Sequence, residues 1–223
     1  MFTDNQLYID DLKTGDLLLF EGNGKGCNKL FDMLIKYGTS SNYTHVGIFL
    51  RNPKFIHPCL KGDFIWESSL NFTKDPQDGE VKFGVQITPL KEILHNCKKS
   101  NTKVYVRKVI SDNDLFTQEK MKKIHDVVYN KPYDIIPSDW VEAYFGVDSN
   151  PKKTNRFWCS SLVGYIYSKV GLIKEYIDWS ILKPSDFSID EDYITFTDKG
   201  TLEEEEKRLL NKYRYKRIGR VFS

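Results

Sequence analysis

Two short segments carry residue types capable of covalent chemistry. Tyr43-Thr44-His45-Val46-Gly47-Ile48-Phe49 reads as a strand entered through a histidine, and Phe157-Trp158-Cys159-Ser160-Ser161-Leu162-Val163 reads as the opening turn of a helix that carries a cysteine. A thiol attacks as its thiolate, and a helix N-terminus with an imidazole nearby favours that form. Taken singly, each residue has a plainer meaning: cysteine is among the most buried residue types, and a histidine is usually a satisfied core or surface group. The helix-start position, the adjacent serines and the histidine together favour a nucleophile and its base. Gly47, two residues after His45, admits the close backbone approach that a packed site needs. Glu67 follows the apolar run Phe64-Ile65-Trp66. It reads either as a solvated strand end or as the carboxylate that accepts the second imidazole N–H and fixes the tautomer.

A second cluster invites a metal reading. His57-Pro58-Cys59 and His95-Asn96-Cys97 offer two imidazoles and two thiols. They lack the usual two-to-four-residue cysteine spacing and no His-Glu-x-x-His is present, so no metal site is expected. The glycines at 22, 24 and 26 are not followed by Lys-Ser/Thr in phosphate-loop spacing, and they read as a plain loop. No cofactor is called for.

These residues need a scaffold, and the composition supports one. A chain of 223 residues with 40% hydrophobic and 14% aromatic side chains can bury a substantial core. A net charge of +2 gives no electrostatic case for nucleic acid. No basic segment followed by an apolar run opens the chain and no stretch reaches membrane-spanning length, so a cytoplasmic protein with free thiols is expected. The stretch Arg214 to Phe222 interleaves basic and aromatic residues. It could touch phosphate or anionic lipid in a peripheral membrane contact, but it reads first as an edge strand with polar residues outward.

Periodicity supplies the elements. Gly15-Asp16 turns into a buried strand at Leu17–Phe20, and Leu30, Phe31, Leu34 and Ile35 mark a short helix closed by Gly38. Strands are predicted at Thr44–Leu50, Asp63–Ser68 and Val81–Ile87, a short helix at Leu90–His95 opened by Pro89, and an alternating strand at Lys103–Val109. Met121, Ile124, Val127 and Val128 trace an amphipathic helix that ends before Pro132. From Pro132 to Asn155 a long connection carries a short helix around Trp140–Tyr144. Leu162, Val163, Ile166, Tyr167 and Val170 then line one face of a helix stopped by Gly171. A strand is predicted at Tyr193–Thr197. The acidic run Glu203–Glu206 leading into Lys207-Arg208 suits the start of a helix. No repeat or linker divides the chain, so residues 1–223 read as one domain, with an insertion at about 133–155 and a C-terminal extension at about 185–223.

Gly15-Asp16, Thr44-His45-Val46-Gly47-Ile48, Trp66-Glu67-Ser68, Pro132-Tyr133-Asp134 and Trp158-Cys159-Ser160-Ser161-Leu162-Val163, in that order, resemble the circularly permuted branch of the NlpC/P60 papain-like superfamily. That branch includes YiiX/YaeF-like and poxvirus-type members and, more distantly, lecithin:retinol acyltransferase-like enzymes. Ser161 stands where a glutamate is common in that branch. The resemblance implies an α+β fold, a small antiparallel barrel-like sheet packed against helices. It implies Cys159 as nucleophile, His45 as base, Glu67 as the residue orienting the imidazole, and Tyr133 lining the site near the oxyanion. Ser160, and Trp140 within the insertion, are the further candidate substrate contacts. The implied activity is cysteine-dependent hydrolysis or acyl transfer on an amide, ester or thioester. The substrate would be a small molecule, a lipid or lipid-modified group, or a peptidoglycan-type peptide. A non-catalytic binding or virion structural role on the same scaffold is the other reading.

Overall fold

In a computed structural model the chain is described over residues 6–22, 42–112, 114–134, 152–191 and 193–214. The helix expected near Leu30–Ile35, Cys27, the glycines at 24 and 26, the aromatics Trp140, Tyr144 and Phe145, and the tail beyond Arg214 lie outside these residues.

The strands are β1 (Gln6–Leu7), β2 (Leu17–Glu21), β3 (Tyr43–Arg51), β4 (Asp63–Lys74), β5 (Val81–Pro89), β6 (Lys103–Arg107), β7 (Val109–Ile110), β8 (Thr201–Leu202) and β9 (Lys207–Leu209). The α-helices are α1 (Leu90–Ser100), α2 (Gln118–Val128) and α3 (Cys159–Val170). The architecture is mixed α+β. One seven-stranded sheet runs β1-β9-β6-β2-β3-β4-β5, with β7 and β8 forming a separate pair. Every pairing is antiparallel except β1 with β9.

Alternation along the strands sorts side chains onto two apolar faces. Leu17 and Leu19 of β2, and Val46, Ile48 and Leu50 of β3, join Trp66, Ile87 and the α3 side chains in the larger cluster. Leu18, Phe20, Phe49 and Ile65 face the other way, against Leu90 and Leu94 of α1. Helix α3 ends at Gly171, in the left-handed region at φ 87°. Its expected apolar face is buried, but so is every residue from Cys159 to Tyr167, which makes it an enclosed helix rather than an amphipathic one. The segment carrying Trp179 and Leu182 closes its far side against Gly164.

Several expectations need correction. β4 continues to Lys74, so Glu67 lies inside a strand and does not end one. The alternating run at 103–109 breaks at Lys108, because Val109 leaves the main sheet to pair with Leu202. The Val109 N–H donates to Asp16 Oδ1 at 3.0 Å. On α2, Val127 is exposed and His125 takes the buried place, its ring among Trp66, Phe55 and Tyr129. Tyr193–Thr197 makes only a single bridge, Ile173 with Phe196. Among the described residues no helix follows Glu203–Glu206. Lys207–Leu209 is strand β9, inserted between β1 and β6, where backbone pairing on both sides outweighs the local charge pattern. Among the described residues, no helix is long and apolar enough to cross a membrane.

Candidate active site

The site forms where the sheet divides. β3 stays paired with β2 as far as Tyr43, and β4 stays paired with β5 as far as Lys74. Between β3 and β4, however, the ladder covers only Ile48–Arg51 against Trp66–Asp63. Gly47 stands at the point of parting. A Cβ there would lie 2.8 Å from Ile65 Cγ2 and 3.2 Å from the Trp66 carbonyl oxygen, so a side chain would force the strands apart one step too early. The chain entering α3 is fastened at this fork. Ser68 donates its hydroxyl to the Phe157 carbonyl at 2.6 Å, two residues before the cysteine.

Cys159 is the first residue of α3, after an extended Trp158. His45 is the third residue of β3, its ring 5.2 Å from that of Phe20. By strand alternation His45 belongs to the face opposite the larger cluster that contains Cys159, and the open fork lets the two meet. His45 hydrogen-bonds with the Cys159 thiol and with Glu67. Nε2 lies 2.7 Å from Glu67 Oε2, which leaves Nδ1 for the sulfur. Burial works against a charged imidazole. The hydrogen bond with Cys159, then that with Glu67, outweighs it and pushes His45 from its ordinary 6.5 up to about 10. An imidazolium is therefore held between the Cys159 sulfur and a carboxylate, which is the electrostatic setting of an activated cysteine.

The carboxylate is itself fixed. Thr88 on β5 donates its hydroxyl to Glu67 Oε1 at 2.7 Å, and both residues are fully enclosed. Glu67 pairs across the sheet with Gln86, so Thr88 is its diagonal neighbour on the same face. Sequence reasoning missed Thr88, because a threonine in a strand carries no local mark of this role.

Tyr133 reaches the thiol from the other side. Gly84 sits at φ 149°, and a Cβ there would come within 2.2 Å of the Lys131 carbonyl oxygen. Only a glycine lets the 131–133 backbone lie so close to β5. That segment is tied down by Val85 N–H to Lys131 O at 2.9 Å and Tyr133 N–H to Phe83 O at 2.9 Å. It bridges in turn to Phe157. The Tyr133 hydroxyl accepts from the Cys159 backbone N–H and lies in hydrogen-bond contact with its side chain. Burial first, then the nearby Cys159 and Asp134, hold the phenol well above its ordinary value, so it remains an O–H donor. The Cys159 N–H, one of the helix-start amides that has no acceptor within the helix, and the Tyr133 O–H thus converge beside the sulfur. Donors so placed can bind an oxyanion.

Ser160 is buried, with its hydroxyl on the Leu182 carbonyl at 2.5 Å; the Trp158 indole N–H donates to the same oxygen at 3.2 Å. Both anchor the segment before the short 3-10 turn Pro184–Phe187. His57, Cys59 and His95 are exposed and Cys97 half-buried, with the Cys59 N–H donating to His57 Nδ1 at 3.2 Å. Among the described residues, no group of three or more His, Cys, Asp or Glu is arranged to hold a metal ion. Cys59, Cys97 and Cys159 are free thiols.

In comparison with known proteins, no protein-family model matches this chain and no curated protein matches it.

Proposed function

We propose that this protein is a cysteine hydrolase or acyltransferase that cleaves an amide, ester or thioester through an acyl-enzyme. The observation that carries the reading is the single imidazole of His45 joined to Cys159 on one side and Glu67 on the other. In the proposed reaction Cys159 attacks the carbonyl carbon as its thiolate, its proton resting on the His45 imidazolium, and a C–S bond forms. The carbonyl π electrons move onto oxygen, which accepts hydrogen bonds from the Cys159 N–H and the Tyr133 hydroxyl. The oxyanion then collapses, the bond to the leaving group breaks, and His45 gives that group its proton. Water or a second acceptor, deprotonated by His45, attacks the thioester and releases the acyl group. Glu67 keeps the imidazole in one orientation and balances its charge throughout.

The motif order along the chain, histidine strand before cysteine helix, supports placing this chemistry on a permuted NlpC/P60-like scaffold. Lipid or lipid-modified donors and peptidoglycan-type peptides are the two substrate classes to test. The direct experiment is acyl trapping: the full chain is mixed with activated esters of fatty acids and of short peptides, quenched in acid, and mapped by mass spectrometry. An adduct on Cys159, absent in Cys159→Ala and slower to form in His45→Ala, is expected. No adduct on Cys159 with either class would leave the scaffold a binding protein.

A further inference from the structure

A concavity beside the histidine strand has no part in the reaction proposed for Cys159. A cavity of about 360 Å³ lies between the ends of β2 and β3, Tyr105 of β6 and the segment after the Pro184–Phe187 turn. That volume falls in the range of small-ligand sites. Its described lining carries Glu21, Asp190, Glu191 and Glu206 and no lysine or arginine.

Two of the four acid groups, Glu206 and Glu21, are held by hydrogen bonds. Glu206 accepts from the Tyr43 hydroxyl on one oxygen and from the Ile189 N–H on the other at 3.0 Å. The Tyr105 hydroxyl is hydrogen-bonded to Glu21. Three cations stand close by. Lys103 reaches both Glu21 oxygens at 3.2 Å, Arg208 pairs across the sheet with Tyr105, and Arg107 gives its N–H groups to the carbonyls of Glu203, Phe187 and Ser188. Three cations against four lining carboxylates still leave an excess of negative charge.

An independent observation points to a missing partner. The Ser185 hydroxyl, part of the same lining, is buried in a residue only 2% exposed and has no hydrogen-bond partner among the described residues. A buried hydroxyl without a partner is costly. The rings of Tyr43 and Tyr105 meet edge to face at 6.0 Å and supply π surface beside the carboxylates. Carboxylates, a free hydroxyl and aromatic faces together suit a group with several N–H donors and no acceptor.

We propose that this cavity binds an alkylammonium or alkylguanidinium group, the chemistry of a lysine or arginine side chain, carried by the substrate whose carbonyl meets Cys159. The subsite role rests on the reading of Cys159 as the nucleophile; the cation site does not. Between His45 and Tyr43 the β2–β3 register shifts, and Tyr43 packs with Tyr105 against the larger cluster, the one that contains Cys159, so a basic side chain can reach from the reacting carbonyl to the carboxylates. A dedicated metal site does not fit, since no metal-holding group of side chains occurs among the described residues.

The test uses N-acetyl-lysine amide, N-acetyl-arginine amide, the neutral N-acetyl-norleucine amide and phosphoethanolamine, titrated calorimetrically into the full chain. The two basic amides are expected to bind at least about tenfold more tightly than norleucine, and phosphoethanolamine, whose phosphate meets the same carboxylates, to bind poorly. The combined variant Glu191→Gln with Glu206→Gln should abolish the preference, the new amide at 206 accepting from the Ile189 N–H and donating to the Tyr43 hydroxyl. Equal binding of lysine and norleucine amides, or a preference that survives the double variant, overturns the cation site. The second arm alkylates Cys159 with chloroacetamides bearing an aminobutyl or a butyl chain. A rate ratio of about ten in favour of the amine, collapsing towards one in the double variant, is expected for a subsite. If neither reagent labels Cys159 while the lysine amide still binds, the nucleophile reading fails and the cation site stands.

Discussion

Glu67 Oε2 lies 2.7 Å from His45 Nε2, and its second oxygen accepts the Thr88 hydroxyl at the same distance. The carboxylate that would orient the imidazole is thus itself held at both ends, inside the sheet and away from water.

This arrangement makes Thr88 a positioning residue. Thr88→Val should lower turnover about tenfold, the worth of one hydrogen bond to a charged group, while Thr88→Ser restores it. Glu67→Gln should cost more, on the order of 10²-fold or greater, because an amide can support the wrong tautomer. Steady-state rates on the substrate found by acyl trapping give the ranking. If Thr88→Val and Thr88→Ser behave alike, the hydroxyl has no positioning role.

The protonation of His45 is testable without a substrate. Its value is raised from 6.5 to about 10, so the stabilisation it brings is complete below about pH 6.5 and is lost as the pH climbs towards 10. Denaturant midpoints of the wild type should therefore fall across that window. The hydrogen bond with Cys159 is the largest of the effects raising the imidazole, ahead of that with Glu67. Ring-proton NMR should accordingly show His45 titrating closer to 6.5 in Cys159→Ala, with a smaller displacement in Glu67→Gln. A titration curve unchanged in Cys159→Ala would separate the thiol from the imidazole.

Thiol chemistry should be selective. Burial, with the charge of Glu67 adding to it, pushes Cys97 up to about 12, so this thiol should stay unlabelled at neutral pH. Cys159 should react with dilute iodoacetamide ahead of both Cys97 and the exposed Cys59, and lose that lead in His45→Ala. Peptide mapping of a timed alkylation decides the order.

Tyr133→Phe removes only an oxygen. Loss of one oxyanion donor costs about 10²–10³-fold in turnover where that role is real. Alkylation of Cys159, which builds no oxyanion, should change far less. Equal losses in both assays would mean that the hydroxyl acts on the thiol and not on the transition state.

Gly84→Ala tests the scaffold behind Tyr133. With φ at 149° and a backbone oxygen 2.2 Å from the new Cβ, the 131–133 segment must move. The expected loss is at least about 1–3 kcal/mol of stability, seen in urea denaturation, together with a fall in turnover resembling that of Tyr133→Phe.

How much of this was written locally can be read residue by residue. Helix α3, its start at Cys159 and its stop at Gly171, follow from apolar spacing and a terminal glycine, and the cores of β2, β3 and β5 follow from their apolar runs. Of the candidate site, Cys159, His45 and Glu67 are visible because each stands beside a recognisable strand or helix start, whereas Tyr133 is implied only by the resemblance to the permuted NlpC/P60 branch. What local pattern misjudged was settled by distant partners. Acid-then-base spacing at 203–208 suggested a helix, yet β1 and β6 offered two open strand edges and Lys207–Leu209 filled the gap. Side-chain alternation assigns His45 to the face away from Cys159, and it cannot report that β3 and β4 part just beyond Gly47. That fork, the diagonal approach of Thr88 to Glu67, and the seating of Tyr133 on the amide of Cys159 all depend on register between strands far apart in the chain. A residue's own periodicity fixes which way it points from its element. Only the packing of elements decides what it meets there.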